Sequence, residues 1–133
     1  MSAMLVPEKY RDLETWSFGD SPALADKLLA LVLAGRKIAT CCPYDPSSLS
    51  LVGERSIVCD GTGQPACVIE IVEVTVRRYN EVDAAFAYDE GEGDRTLEYW
   101  RAAHRGYFER HGVFADDMML QCERFHVVEI FPR

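Results

Sequence analysis

Apolar residues recur three and four positions apart in two segments of the chain, as they do on the buried face of an amphipathic helix. This spacing predicts helices near 21–34 and 94–111. Ser21 fits the N-cap of the first helix, and Pro22 fits its first turn. Gly35 follows the last apolar residue and fits the left-handed position that ends a helix. Two amphipathic helices are therefore expected.

Other segments are rich in β-branched and aromatic residues and predict strands. In the longest of them, Glu70 and Glu73 fall on opposite parities, which predicts a bulge between them. Pro, Gly, Ser and Asp mark the connections, including an acidic loop over residues 89–94. The order of elements indicates a single α+β domain over residues 1–133, built on a mainly antiparallel barrel of five or six strands with flanking helices. The predicted strands cover residues 37–42, 55–60, 66–78 and 118–131.

The amino-acid composition and the charge argue against several classes of function. The 133 residues carry a net charge of −8, with 22 acidic against 14 basic side chains. This balance argues against a broad basic surface that grips long duplex nucleic acid through many phosphates. No stretch reaches the ~20 apolar residues of a membrane span, and the N-terminus lacks the pattern of a secretory signal. Five cysteines without a CxxC pair are typical of buried, reduced thiols in a cytoplasmic protein.

The junction after the first helix is the first candidate site. A partly desolvated Lys37 could have a lowered pKa, act as a base and activate the Thr40 hydroxyl as a nucleophile. The competing interpretation is structural: Lys37 interacts with the negative end of the helix and Thr40 is an ordinary strand residue. A straight strand places these two positions on opposite faces, so a shared site requires a bend.

Two further groups could contribute chemistry. The acidic loop, DEGEGD, could deliver a carboxylate into a cleft as a general acid or base, or as a partner for Lys37. Alternatively, it is a solvated loop in which Asp94 caps the second helix. His104, with Trp100 and Tyr107 on the same helix, could contact and stack on a base, although such residues are more often core. The loop does not match an EF-hand, and neither a metal site nor a cofactor is predicted.

Three segments, in order, resemble the ASCH domain family of the PUA-like superfamily. They are WSFGDSPALADKLLALVLAGRKIAT, FAYDEGEGDRTLEYWRAAHRGYF and CERFHVVEIF, and they extend over roughly residues 16–131. The resemblance implies a PUA-like β-barrel with a cleft between the barrel and a helix. Members of the family include N4-acylcytidine amidohydrolases and ribonucleases, and related domains recognise RNA.

The resemblance also implies site residues. Lys37 and Thr40 match the GxKxxT part of the amidohydrolase pattern, and Glu92 is the best match for its glutamate. Cys41 and Cys42 stand where small or hydroxyl residues are usual, and a cysteine beside the proposed nucleophile raises the question of whether the Cys41 thiol is reactive. The candidate substrate-binding residues are Arg36, Tyr44, Trp100, His104 and Tyr107.

The expected function is hydrolysis of an acylated nucleoside or of a related group on a short single-stranded RNA. A ribonuclease that uses the same cleft and a non-catalytic RNA-binding or nucleotide-sensing module are the alternatives.

Overall fold

In the computed structural model, which describes residues 6–132, the first helix lies where its sequence predicts. Helix α1 covers Pro22–Leu33. The Ser21 side chain accepts a hydrogen bond from the Leu24 N–H at 3.1 Å, and Gly35 has a φ of 76° just beyond the helix. The buried face of α1 packs on the sheet through Leu28, Leu29 and Val32, so the prediction for this helix is confirmed.

The strands form one mixed sheet in the order β1-β3-β4-β5-β2. Strand β1 is parallel to β3, and every other pairing is antiparallel. Short turns of 3-10 helix occur at Glu8–Tyr10, Pro46–Ser48 and Tyr79–Glu81. The strands are β1 (Thr15–Trp16), β2 (Ala39–Pro43), β3 (Arg55–Cys59), β4 (Pro65–Arg78) and β5 (Met119–Ile130).

The sheet does not close into the predicted barrel. Within residues 6–132, β1 and β2 are its two edges and do not pair with each other. Closure requires continuous hydrogen bonding around the sheet, including between its two edge strands. Strand β1 is only two residues long, and it pairs with β3 alone. Trp16 on one edge and Thr40 on the other line the same cleft, so the gap between the edges is part of that cleft.

Strand β4 contains the predicted bulge. Its register against β5 shifts between Ile71 and Glu73, so Val72 is the extra residue. The bulge places Glu70 opposite His126 and Glu73 opposite Arg124. The two glutamates differ in parity because the continuous strand has this local irregularity between them.

The acidic segment is less loop-like than its sequence suggests. Helix α2 covers Ala84–Glu90 and includes the first two residues of DEGEGD. Helix α3 covers Leu97–Arg110 and is capped by Thr96, whose side chain accepts from the Tyr99 N–H. The prediction that Asp94 caps this helix is wrong, because Arg95 has a φ of 65° and its left-handed backbone prevents the helix from starting earlier. Asp94 accepts instead from the Thr96 N–H and hydroxyl.

The cysteines only partly follow their prediction. Cys41, Cys42, Cys59 and Cys122 are free thiols. Cys59 and Cys122 are buried, but Cys42 is exposed because it lies near the end of edge strand β2. No helix in the described part of the chain is long and apolar enough to cross a membrane.

Candidate functional site

One cleft of about 660 Å³ opens between the edge strands and the helices. Its walls come from the segment around β1, from α1, from α3 and from the faces of β2 to β5, and Ser48, Ser50 and Glu54 of the loop after β2 close one side. The residues that concern its chemistry are Lys37, Thr40, Cys41, Glu90, Glu92 and His104.

Lys37 lies at the floor of this cleft with its side chain 1% exposed. Its Nζ donates to Glu90 Oε1 at 2.8 Å and to Glu92 Oε2 at 2.9 Å. The backbone around it is fixed because Ile38 N–H donates to the Asp89 carbonyl at 2.8 Å and Phe125 N–H donates to the Ile38 carbonyl at 3.0 Å. A lysine is thus buried between two carboxylates on a rigid connection.

Glu90 links that lysine to helix α3. Its Oε2 accepts from Trp100 Nε1 at 2.7 Å and lies 3.3 Å from His104 Nε2. The other ring nitrogen of His104, Nδ1, lies 2.9 Å from the Trp100 carbonyl oxygen. Because both nitrogens face oxygen atoms that accept hydrogen bonds, the imidazole is favoured in its doubly protonated form.

These contacts shift the pKa values of the group. Burial by itself would lower the pKa of Lys37, but Glu90 and Glu92 outweigh it and raise the pKa. Burial would raise the pKa of Glu90, yet the charges of Lys37 and His104 hold it well below its ordinary value. For His104, burial is again opposed by Glu90, and the pKa is raised. We call Lys37, Glu90, Glu92 and His104 the charge cluster.

The protonation of Lys37 changes the chemistry expected from sequence. A lysine with a raised pKa carries its proton at neutral pH and is not a base in the free protein. It can become one by transferring that proton to a neighbouring carboxylate. Glu92, whose side chain is 18% exposed, is the more accessible of the two.

Thr40 shares the cleft with Lys37 despite the parity argument. Strand β2 begins at Ala39, so Lys37 precedes the regular strand and the alternation of faces does not apply to it. The neighbouring Cys41 thiol has a pKa raised well above its ordinary value by burial and by the charge of Glu90. Cys41 is therefore a protonated thiol, which makes it a weak nucleophile.

The structure gathers some of the predicted site residues and separates others. Lys37, Thr40, Glu92, His104 and Tyr107 all line the cleft. The other three predicted residues, Arg36, Tyr44 and Trp100, do not line it.

Arg36 binds the acidic segment instead, with Nε donating to the Gly91 carbonyl at 2.7 Å. Trp100 is buried, with its ring stacked 4.3 Å from that of His104. Tyr44 is 38% exposed beyond the end of β2. Their roles as substrate-binding residues stay predictions.

Sequence reasoning gave Glu90 no specific role. The signal was its spacing: Phe86, Ala87 and Glu90 are three and four apart and all are buried on one face of α2. A glutamate on an apolar helical face needs a charged or hydrogen-bonding partner. The prediction of a loop over residues 89–94 obscured this helical spacing, because Glu90 was not assigned to a helix.

Gly91 allows the charge cluster to assemble. Its φ is 73°, and a Cβ there would lie 2.4 Å from the Arg36 carbonyl oxygen. We expect Gly91→Ala to lower the free energy of unfolding by about 2–4 kcal/mol, from left-handed strain and backbone overlap. Gly35→Ala is the matched control, since Gly35 has a φ of 76° with nothing within 4 Å. It should cost about 1 kcal/mol. If urea unfolding showed equal losses of unfolding free energy in the two variants, the close approach of residue 91 to the Arg36 carbonyl would be unimportant.

The whole chain resembles proteins of one family. The ASCH domain model matches residues 14–129. A solved ASCH domain from Lactobacillus crispatus JV V101 is 33% identical, with a TM-score of 0.82, over 98% of this chain and 90% of that one. A solved protein of Enterococcus faecalis V583 is 34% identical, with a TM-score of 0.81, over 88% and 77% of the respective chains. A comparison with curated proteins finds no significant match.

Proposed function

The chain belongs to the ASCH domain family, which has a PUA-like fold, and we propose that it is a hydrolase of the N4-acylcytidine amidohydrolase type. Its substrate would be an acylated nucleoside or a short single-stranded RNA that carries the same group. One observation supports this above the others: Lys37, buried between Glu90 and Glu92, lies at the floor of a cleft that Thr40 also lines. This arrangement combines a hydroxyl nucleophile with a proton relay.

The proposed reaction begins with a proton transfer from the Lys37 ammonium to Glu92, over their 2.9 Å hydrogen bond. The neutral amine then takes the Thr40 hydroxyl proton while Thr40 Oγ1 forms a bond to the acyl carbon. When the C–N bond breaks, Glu92 returns its proton to the leaving nitrogen, and an ester on Thr40 remains. Water then attacks the ester, the carboxylic acid leaves, and the Thr40 oxygen regains a proton.

Glu90 has a different part in this scheme. It is almost fully buried, and Trp100 and His104 hold its second oxygen. We assign it the positioning of Lys37, with its negative charge limiting how readily Lys37 gives up its proton. Glu92 is the more accessible partner and carries the transferred proton.

The charge of the cleft favours a small or neutral ligand. More carboxylates than cations line it, and a chain of phosphates would be repelled there. The acidic residues are Glu14, Glu54, Glu90, Glu92 and Glu123, against the basic Lys27, Lys37, His104 and Arg110. Tyr107 lines the same space and offers a ring on which a base can stack.

The direct test is to incubate the protein with N4-acetylcytidine and, separately, with a labelled single-stranded RNA. The proposal predicts release of cytidine and acetate and an intact RNA. Cleavage of the RNA without deacetylation would favour the ribonuclease alternative and reject the amidohydrolase.

A non-catalytic nucleotide-sensing module is the second candidate function. It is favoured by the ion pairing that keeps Lys37 protonated, because a fixed ammonium serves binding better than proton abstraction. Binding of cytidine derivatives with no turnover of any of them, measured by calorimetry and chromatography on one sample, would support it.

The salt dependence of binding reports the size of the ligand. We expect affinity for a nucleoside, which carries no phosphate, or for a short single strand to fall only weakly with salt, with a slope for no more than about one to three phosphate contacts. Titrations at several salt concentrations, monitored by tryptophan fluorescence, would give this slope. Tight binding of long duplex RNA with a slope for about six contacts or more would contradict the small-ligand prediction.

A further inference from the structure

We propose that Cys41, Glu90 and His104 form a binding site for one transition-metal ion of the zinc type at the floor of the cleft. The Cys41 Sγ, a carboxylate oxygen of Glu90 and a ring nitrogen of His104 all lie within 4.8 Å of one another. The three residues come from β2, α2 and α3 and line the same cleft. An ion can therefore enter from solvent and keep a water in its remaining position.

The identities of the donors select the metal. One thiolate, one imidazole and one carboxylate form a set that zinc and cobalt accept, whereas magnesium and calcium prefer oxygen donors alone. Three protein ligands with one open position is also the arrangement of many zinc sites exposed to solvent.

The spacing fits a tetrahedral ion. With zinc–nitrogen and zinc–oxygen distances of about 2.0–2.1 Å, two such ligands lie about 3.3 Å apart. The distance from His104 Nε2 to Glu90 Oε2 is 3.3 Å. It is long for a hydrogen bond between charged groups but matches a tetrahedral edge.

The outer contacts already hold the ligands in orientation. His104 Nδ1 is 2.9 Å from the Trp100 carbonyl, which directs Nε2 toward the site. Glu90 accepts from Trp100 Nε1 at 2.7 Å and from Lys37 Nζ at 2.8 Å. Hydrogen bonds of this kind, from a ligating histidine to a carbonyl and from neighbours to a ligating carboxylate, are typical of metal sites.

Lys37 does not exclude the ion. Its ammonium also pairs with Glu92, which is not one of the proposed ligands, at 2.9 Å. With the Cys41 thiolate and a neutral His104 as ligands, the divalent ion and Lys37 would balance the charges of Glu90, Glu92 and the thiolate.

Cobalt(II) is the probe for this site, because a thiolate ligand gives it a near-ultraviolet charge-transfer band and tetrahedral geometry gives intense visible bands. Tag-free wild-type protein, reduced and freed of metal with a chelator, is titrated with Co²⁺. The expected result is one Co²⁺ per chain with both features, and their loss when Zn²⁺ is added. Absence of the charge-transfer band in the wild type would overturn the proposal.

Variants assign the ligands. Cys41→Ser should lose the charge-transfer band, and His104→Gln should weaken Co²⁺ binding by at least ~10-fold. Cys42→Ser is the matched control: Cys42 is the adjacent thiol but lies outside the cluster, so the band should persist. A band that survives in Cys41→Ser, or disappears in Cys42→Ser, would overturn the assignment. Thermal unfolding of each metal-free variant shows whether it is folded. Cys41→Ala replaces Cys41→Ser if the latter is unfolded.

Discussion

Replacement of Lys37 by alanine is expected to lower turnover of the acylated nucleoside by ~10²-fold or more, the scale for loss of a positioned acid or base. The same change leaves Glu90 and Glu92 as buried or partly buried carboxylates without their shared cation. Breaking such a pair by removing one partner costs about 3–5 kcal/mol of stability. Steady-state kinetics and urea unfolding on the same preparation would measure both effects.

Lys9→Ala is the control for the loss of a lysine. Lys9 is 68% exposed and pairs with Glu129 at 3.9 Å, so its removal should change stability by less than about 1 kcal/mol and leave turnover unchanged. Unchanged turnover in Lys37→Ala would rule out a catalytic role for Lys37.

Thr40→Val separates catalysis from folding. Thr40 is half-buried in β2, and valine preserves its shape and β-branching while removing the hydroxyl. We expect turnover to be lost while the unfolding free energy changes by about 1 kcal/mol or less. Retained turnover in a folded Thr40→Val protein would show that water, and not Thr40, is the nucleophile.

Conversion of Glu90 to glutamine is the second change with a large expected effect. Glutamine keeps the size of the side chain but removes the charge that faces both Lys37 and His104. Because Glu92 still pairs with Lys37, we expect a loss of about 3 kcal/mol, at the low end for a broken buried pair. Chemical unfolding of the metal-free protein, with a chelator present, would measure it.

The pH dependence of that loss provides an independent test. The pKa of Glu90 is lowered in the folded protein, so its ionised form stabilises the fold above the unfolded-chain value of about 4.3. This stabilisation is lost as pH falls from there toward the folded value. The difference between wild type and Glu90→Gln should be full at pH 7 and shrink below about pH 4.3.

Glu109→Gln is the control for the loss of a carboxylate. Glu109 forms an exposed i,i+4 pair with Arg105 at 3.2 Å, and its removal should cost less than about 1 kcal/mol. A loss in Glu90→Gln no larger than in Glu109→Gln would show that the charge cluster does not stabilise the fold.

The sequence by itself determined the elements whose signals are local. Helix α1 followed from apolar spacing, from a serine that caps it and from a glycine that ends it, all within fifteen residues. The bulge in β4 followed from the parity of Glu70 and Glu73. Such features depend on residues that are close in the chain, so they can be predicted from a single sequence. The family resemblance likewise rested on motifs that can be read directly.

Only the tertiary structure decided the closure of the sheet and the state of the site. Whether β1 and β2 meet depends on strands that are far apart in sequence, and the structure keeps them as open edges beside the cleft. The sequence placed Lys37 and Glu92 in one site by resemblance, but it did not place Glu90 or predict that Lys37 is protonated. Those properties come from burial and from the distances between three elements that the fold brings together. A pKa depends on those charges in space, and their order in the chain does not reveal it.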